Sequence, residues 1–326
     1  MNESYYPLLF VPVYKEYFWG GQRIATRYQR ASVPPVCAES WEISAHADGL
    51  SLVANGPWAG RSLAALAEQC GAACTGTQAP QPHRFPLLFK LIDARENLSV
   101  QVHPNDGNAA QVGGEPKTEA WFVADCEPGA RLYSGLKPGL TAATFHDALD
   151  QGTIPAQLCQ QAVHPGDTLF IPGGLVHAIG AGCLIYEVQQ SSNTTYRLYD
   201  WDRCDATGHP RPLHIQQGFR VITPTLDQPC LHPAPPPATP GGNHWHTLLR
   251  CPYFHLQQLQ LATAQPVAMD GTSFHVLFLL AGAATVTAGG VTVALPSGAS
   301  CLLPAAAGGY DLRPSGPATT LLITTL

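Results

Sequence analysis

Two segments far apart in the chain share one spacing. Gly166-Asp-Thr-Leu-Phe-Ile-Pro172 and Gly298-Ala-Ser-Cys-Leu-Leu-Pro304 both read G-x5-P around an apolar centre. A glycine, a short apolar run and a proline make a strand bounded by turns, so a repeat of this unit predicts two related β-domains. The rest of the sequence agrees. Glycine (31) and proline (30) are abundant among 326 residues, and short runs such as Phe274–Leu280 and Val291–Leu295 alternate with turn residues. Only 12% of residues are charged while 45% are hydrophobic, which excludes a disordered chain and leaves enough apolar material for a sizeable core. The expected fold is mainly β, two jelly-roll barrels with a small helical insertion.

The boundaries follow from composition. Residues 1–222 read as the first domain, including a helical segment at about 141–161, where Thr141 is a cap and Gly152 separates a first helix from a second over 154–161. Residues 223–243 are rich in proline and nearly uncharged, as in an extended linker or surface crossing. Residues 244–326 form the second β-domain. A helix is also expected after Ser62, with Leu63, Leu66 and Cys70 at helical spacing and Gly71 closing it.

A net charge of −6 with scattered basic residues excludes a nucleic-acid footprint, and no apolar run is long enough to span a membrane. The N-terminus, with Glu3, lacks the layout of a secretory signal, so a cytoplasmic location is expected. The ten cysteines include one close pair, Cys70 and Cys74, without a matching second pair, and most of them are expected to be small buried hydrophobes.

Four residues carry the chemistry. In Leu98-Ser-Val-Gln-Val-His103 the period-two alternation places Gln101 and His103 on one strand face. Glu119 lies in the strand-like Lys117-Thr-Glu-Ala-Trp-Phe122, and a hairpin would bring it beside His103. His177 closes the segment that begins at Gly166 and would approach from the opposite wall. Two imidazoles, a carboxylate and a carboxamide suit zinc or another divalent first-row metal. In the second copy of the repeat the position matching His177 is Gly309, so that domain has lost the ligand. His244-Trp-His246 lacks partners and is read as structural.

Gly166 to His177 matches the second cupin signature, G-x5-P-x-G-x2-H, without a gap. Together with Phe18-Trp-Gly-Gly21, Glu39-Ser-Trp-Glu-Ile-Ser44 with His46, Leu91-Ile-Asp-Ala94, Gln101-Val-His-Pro-Asn-Asp106, Lys117-Thr-Glu-Ala-Trp121 and Thr195-Tyr-Arg-Leu-Tyr-Asp-Trp201, it resembles the type I mannose-6-phosphate isomerases in their shorter bacterial form, over the first two thirds of the chain. The resemblance implies that Gln101, His103, Glu119 and His177 hold one zinc ion per chain, that Arg197 is an active-site residue, and that the reaction interconverts mannose 6-phosphate and fructose 6-phosphate through an enediolate.

Lys117, two residues before Glu119 and therefore on the same strand face, is a candidate general base, or else a phosphate or solvent contact. Arg197 is better suited to holding negative charge than to moving protons, or else forms an ion pair with Asp200 or Asp202. Tyr196, Tyr199 and Trp201 are read as a wall of the sugar site, and Glu39 and Glu42 as entrance or substrate contacts. The expected partner is a sugar phosphate, with the chain a monomer or homodimer. Two other functions fit the same residues: a non-catalytic sugar-binding cupin, and a different metallo-cupin enzyme such as an iron-dependent oxygenase.

Overall fold

In the computed structural model, which describes residues 5–140, 142–204, 208–223, 229–236, 241–316 and 318–326, the apolar runs become short antiparallel strands. They form four sheets of seven, six, five and four strands. The repeat seen in sequence is a repeat of structure. Gly166 and Gly298 both turn the chain with positive φ (95° and 81°), which a side chain would resist, and each delivers a four-residue strand, Thr168–Ile171 and Ser300–Leu303. No described helix is long and apolar enough to cross a membrane.

The chain divides into two compact units, and the division is not the linear one expected from composition. One unit comprises Tyr14–Ser40 and Lys90–Ala234; the other comprises Met1–Val13, Trp41–Phe89 and Pro235–Leu326. Strand pairing between distant segments is the reason. Leu8–Val11 pairs with Ser300–Leu303, Leu8 opposite Leu302, so the beginning of the chain completes a sheet made mostly by its end. The helix Leu63–Cys70 belongs to the same unit. Its start and stop are those read from sequence: Ser62 Oγ accepts from Ala65 N at 3.2 Å, and Gly71 follows with φ 54°.

In this unit the seven- and four-stranded sheets share one core, to which Leu259, Leu277 and Leu321 contribute from one sheet and Val286, Leu295 and Leu312 from the other. In the first unit the five-stranded sheet runs Tyr196–Tyr199, Val100–Val102, His177–Ile179, Arg131–Leu136 and Leu158–Ala162. It faces a six-stranded sheet whose inner strands include Glu119–Cys126, Cys183–Gln190 and Leu87–Ala94. Trp121, Val123, Leu169 and Ile185 from the six-stranded sheet meet Leu132 and Ile179 from the five-stranded one, all essentially inaccessible to water. Each such side chain contributes roughly 1.5–3 kcal/mol by leaving water, which makes this packing the main force holding the two sheets at a fixed separation.

Two local expectations are corrected. The helix Ala142–Asp150 forms, but no second helix covers 154–161: Ile154–Gln157 is one 3-10 turn, and Leu158–Ala162 is an edge strand whose pairing with Arg131–Leu136 satisfies more backbone groups. The cap assigned to Thr141 lies outside the described residues, as do 224–228 and 237–240 of the proline-rich stretch. The part between, 229–234, is not a free linker. His232 and Thr168 exchange two backbone hydrogen bonds of 2.8 Å, Ala234 N donates to Asp167, and Leu231 packs on the core.

Candidate functional site

The site forms between the two sheets of the first unit, and the walls are assigned differently from the sequence reading. His177 is not opposite Gln101 and His103 but beside them. It pairs directly with Gln101 on the neighbouring strand of the five-stranded sheet, and Arg197 pairs with Gln101 from the other side. Glu119 comes from the facing six-stranded sheet, not from a hairpin with the Val100–Val102 strand. A β-strand places alternate side chains on opposite faces, so each sheet needs only one correctly phased strand to aim a ligand into the gap.

Among the described residues, His103, Glu119 and His177 form the group able to hold a metal ion, with one ligand atom from each lying within 4.8 Å of the others. His103 Nδ1 donates to Thr194 O at 2.9 Å and His177 Nδ1 to Leu175 O at 2.8 Å, so both rings turn their Nε2 lone pairs inward, 3.2 Å apart. Burial lowers the pKa of His177 to about 3 and, with Lys117 nearby, takes His103 well below the ordinary histidine range. Both imidazoles are therefore neutral at neutral pH, the protonation state a metal ligand needs.

Glu119 is fully buried, and neither of its oxygens has a hydrogen-bond partner with good geometry, although Lys117 Nζ lies 2.6 Å from Oε2. Burial, reinforced by the negative charge of Glu187, raises its pKa to about 7. A buried carboxylate countered by the Lys117 side chain and facing two neutral imidazoles is a donor set able to take a cation. The donor set fits a divalent metal such as zinc. Gln101 Nε2 stands 3.3 Å from His177 Nε2, and a turn of the amide about its last bond would present the oxygen instead.

Next to this group, and reached through its neighbours Gln101 and Lys117, lies a pocket of about 310 Å³. Its lining includes Gln101, Lys117 and Arg197, so three of the residues singled out in the sequence share one cavity. Lys117 also contacts His103 Nε2 at 3.1 Å. Arg197 does not pair with Asp200 or Asp202. Its Nη1 donates to Pro212 O at 2.7 Å, and its Nε is buried without a hydrogen-bond partner. Asp200 instead binds Arg203 and Arg211, and Asp202 accepts from Tyr199.

The aromatic wall is corrected as well. Tyr196 and Tyr199 are core residues packed with Phe145 and Val176, and Trp201 leans on the same cluster; the rings lining the pocket are Tyr17 and Trp19, stacked at 5.6 Å. Glu39 lines the pocket, whereas Glu42 accepts from Ser300 elsewhere.

Lys90, Glu187 and Arg211 were missed in the sequence. Lys90 is buried between Glu39 and Glu187, at 3.5 and 3.4 Å, and Trp121 Nε1 donates to Glu187 at 2.9 Å. A signal existed. Lys90 interrupts the otherwise mostly apolar Leu87–Ala94, and a charge there is rare unless paired.

Comparison with known proteins agrees with this geometry. The family model for the phosphomannose isomerase type I catalytic domain matches residues 8–127, and that for the mannose-6-phosphate isomerase cupin domain matches 244–319. The second match extends the likeness beyond Asp202, where sequence motifs alone had ended. Mannose-6-phosphate isomerase ManA of Bacillus subtilis is 33% identical over 94% of this chain and 96% of its own. The crystal structure of the mannose 6-phosphate isomerase from Bacillus subtilis superposes with a TM-score of 0.87 at 30% identity, covering 98% of this chain and 100% of that one. A zinc-bound mannose 6-phosphate isomerase structure shares the fold (TM-score 0.73, 16% identity, 98% of each chain). The mainly β architecture, the two family models and 33% identity over nearly the full length to a mannose-6-phosphate isomerase show that this chain belongs to the type I phosphomannose isomerase family.

Proposed function

We propose that the chain is a zinc-dependent aldose–ketose isomerase that interconverts mannose 6-phosphate and fructose 6-phosphate. The observation that carries this reading is the convergence of two inward-facing imidazole nitrogens and a buried carboxylate, whose direct neighbours Gln101 and Lys117 line a cavity that also contains an arginine. A proton must leave the carbon beside the carbonyl, the resulting enediolate must be stabilised, and a proton must return to the neighbouring carbon. Zinc held by His103, Glu119, His177 and Gln101 supplies Lewis acidity to the sugar's carbonyl end.

The chain's own residues divide the remaining work. Lys117 is the candidate for moving the proton, because it lines the cavity and its side-chain nitrogen lies within reach of Glu119 and His103, the residues that would hold the metal. As base it takes the C2 proton while the C2–H pair forms the C1–C2 double bond and the C1 carbonyl pair moves onto O1; it returns that proton to C1 as O2 becomes the carbonyl oxygen and the O2 proton passes to O1. Arg197 remains charged throughout. Its strand neighbour is Gln101, so its guanidinium lies near the reacting end, where it stabilises negative charge on the sugar oxygens. Tyr17 and Trp19 offer apolar faces to the sugar carbons.

The decisive experiment is a coupled assay of purified protein with mannose 6-phosphate, before and after chelation. Turnover lost with EDTA and restored by zinc is the expected result; no fructose 6-phosphate from the metal-loaded protein would overturn the proposal.

A further inference from the structure

Three guanidiniums gather at the pocket. Arg197 and Arg211 both line the cavity, and Arg203 lies beside Arg211. One buried carboxylate, Asp200, serves two of these guanidiniums: Arg211 binds it through Nε at 2.7 Å and Nη2 at 2.6 Å, and Arg203 Nη2 binds the same Oδ1 at 2.8 Å. The half-exposed Glu96 adds a contact to Arg203 at 3.3 Å. Arg197 makes no carboxylate contact among the described residues. Burial lowers its pKa, and the neighbouring Arg211 charge adds to this against an opposing pull from Asp200. The cavity's own acids Glu39 and Glu187 are engaged with Lys90 and make no contact with Arg197 among the described residues.

Arg211 is also held rigidly. Its guanidinium and that of Arg203 each lie 5.0 Å from the centre of the Phe18 ring, and Asp200 grips Arg211 by two parallel bonds. Neither bond uses Nη1. A guanidinium docked by its Nε edge and stacked on a ring presents its remaining edge in a fixed direction, which suits a tetrahedral dianion.

We infer that Arg211, positioned by Asp200 and Phe18, binds the phosphate of the sugar substrate and sets the preference for phosphorylated over neutral hexoses. The inference rests on the isomerase reading above and deepens it. Arg197, beside Gln101, is assigned to the end where the carbonyl reacts, and Arg211, held by Asp200 just past the strand end at Tyr199 and lining the same cavity, is assigned to the phosphate. Arg211 acts by binding, and Asp200 acts as a positioning residue.

The test uses the zinc-loaded, full-length protein with inorganic phosphate as the probe, titrated calorimetrically, alongside steady-state kinetics with mannose 6-phosphate. Replacing a charge-assisted contact to a dianion predicts that Arg211→Gln weakens phosphate binding and raises KM by about ten- to a hundredfold, with a much smaller change in kcat. Arg211→Lys, which keeps the charge without the two-bond docking, is expected to fall between Gln and wild type, and it carries the test if Arg211→Gln does not fold. Asp200→Asn should shift KM in the same direction. Phosphate affinity and KM within twofold of wild type in the folded variants would overturn the inference, as would wild-type protein that binds no inorganic phosphate. Because phosphate binding is read without turnover, its failure is distinguishable from a failure of the isomerase assay.

Discussion

His177 lies directly across from Gln101 on adjacent antiparallel strands, with the two side-chain nitrogens 3.3 Å apart. Two of the four candidate ligands are thus fixed by one backbone register, independently of any metal. The carboxylate arrives from the facing sheet, so the distance between the sheets controls the fit of the site, and that distance is set by the packing around Trp121 and Ile179.

Metal should therefore stabilise the folded chain as well as activate it. A ligand present at a hundred times its dissociation constant adds about 2.7 kcal/mol. For a protein of this size that corresponds to a rise in Tm of a few degrees, which calorimetry of the chelated and zinc-loaded protein would detect. Glu119→Gln removes the ligand charge and should abolish the zinc-dependent shift. A shift of wild-type size in that variant would remove Glu119 from the metal centre.

Lys117 and Arg197 can be separated kinetically. A residue that moves protons typically contributes about 10²- to 10⁴-fold, so Lys117→Ala should lower kcat/KM by that order, mainly through kcat. Arg197→Ala should lose about ten- to a thousandfold, as when one preorganised donor to a developing anion is removed. Near-normal kcat/KM in either variant would take that residue out of the mechanism.

The hydrogen bond from Trp121 to Glu187 ties the core to the charged cluster. Trp121→Phe preserves most of the ring but leaves a buried carboxylate with one donor fewer, at an expected cost of about 1–3 kcal/mol in denaturant unfolding. A change under half a kilocalorie would mean that Lys90 alone satisfies Glu187.

His275 in the second unit provides a pH-dependent test. Its ring meets Tyr310 OH at 3.1 Å, and burial lowers its pKa to about 4, against an opposing pull from Asp270. Above pH 6.5 the ring is neutral in both folded and unfolded chains and contributes no pH dependence. Between 6.5 and 4 the unfolded chain takes up the proton and the folded chain does not, so stability falls as the solution is acidified. From pH 7 to pH 5 wild type should lose on the order of 2 kcal/mol more than His275→Gln. Parallel stability curves for the two proteins over that range would contradict the assignment.

Some of this was legible one residue at a time. The Gly166–His177 spacing identified His177, the alternation around Val100 paired Gln101 with His103, and the step of two linked Lys117 to Glu119. Ser62 and Gly71 marked a helix that forms with those ends. Each of these signals is local: a turn glycine, a strand period, a cap. Lys90 and Glu187 escaped notice because each looks like a stray charge until their strands lie side by side. Tyr196 and Tyr199 misled because an aromatic beside an arginine reads the same whether its ring faces a cavity or the core.

What the sequence determined by itself was the chemical inventory and its phase: which side chains could hold a cation, and which of them share a strand face. Tertiary structure alone decided which sheet each ligand comes from, that residues 41–89 join the C-terminal strands, and that Arg211 enters the pocket. The reason is physical. Strand phase depends on neighbours two residues apart, whereas strand pairing depends on the burial of apolar faces brought together from segments hundreds of residues distant, as with Leu8 and Leu302.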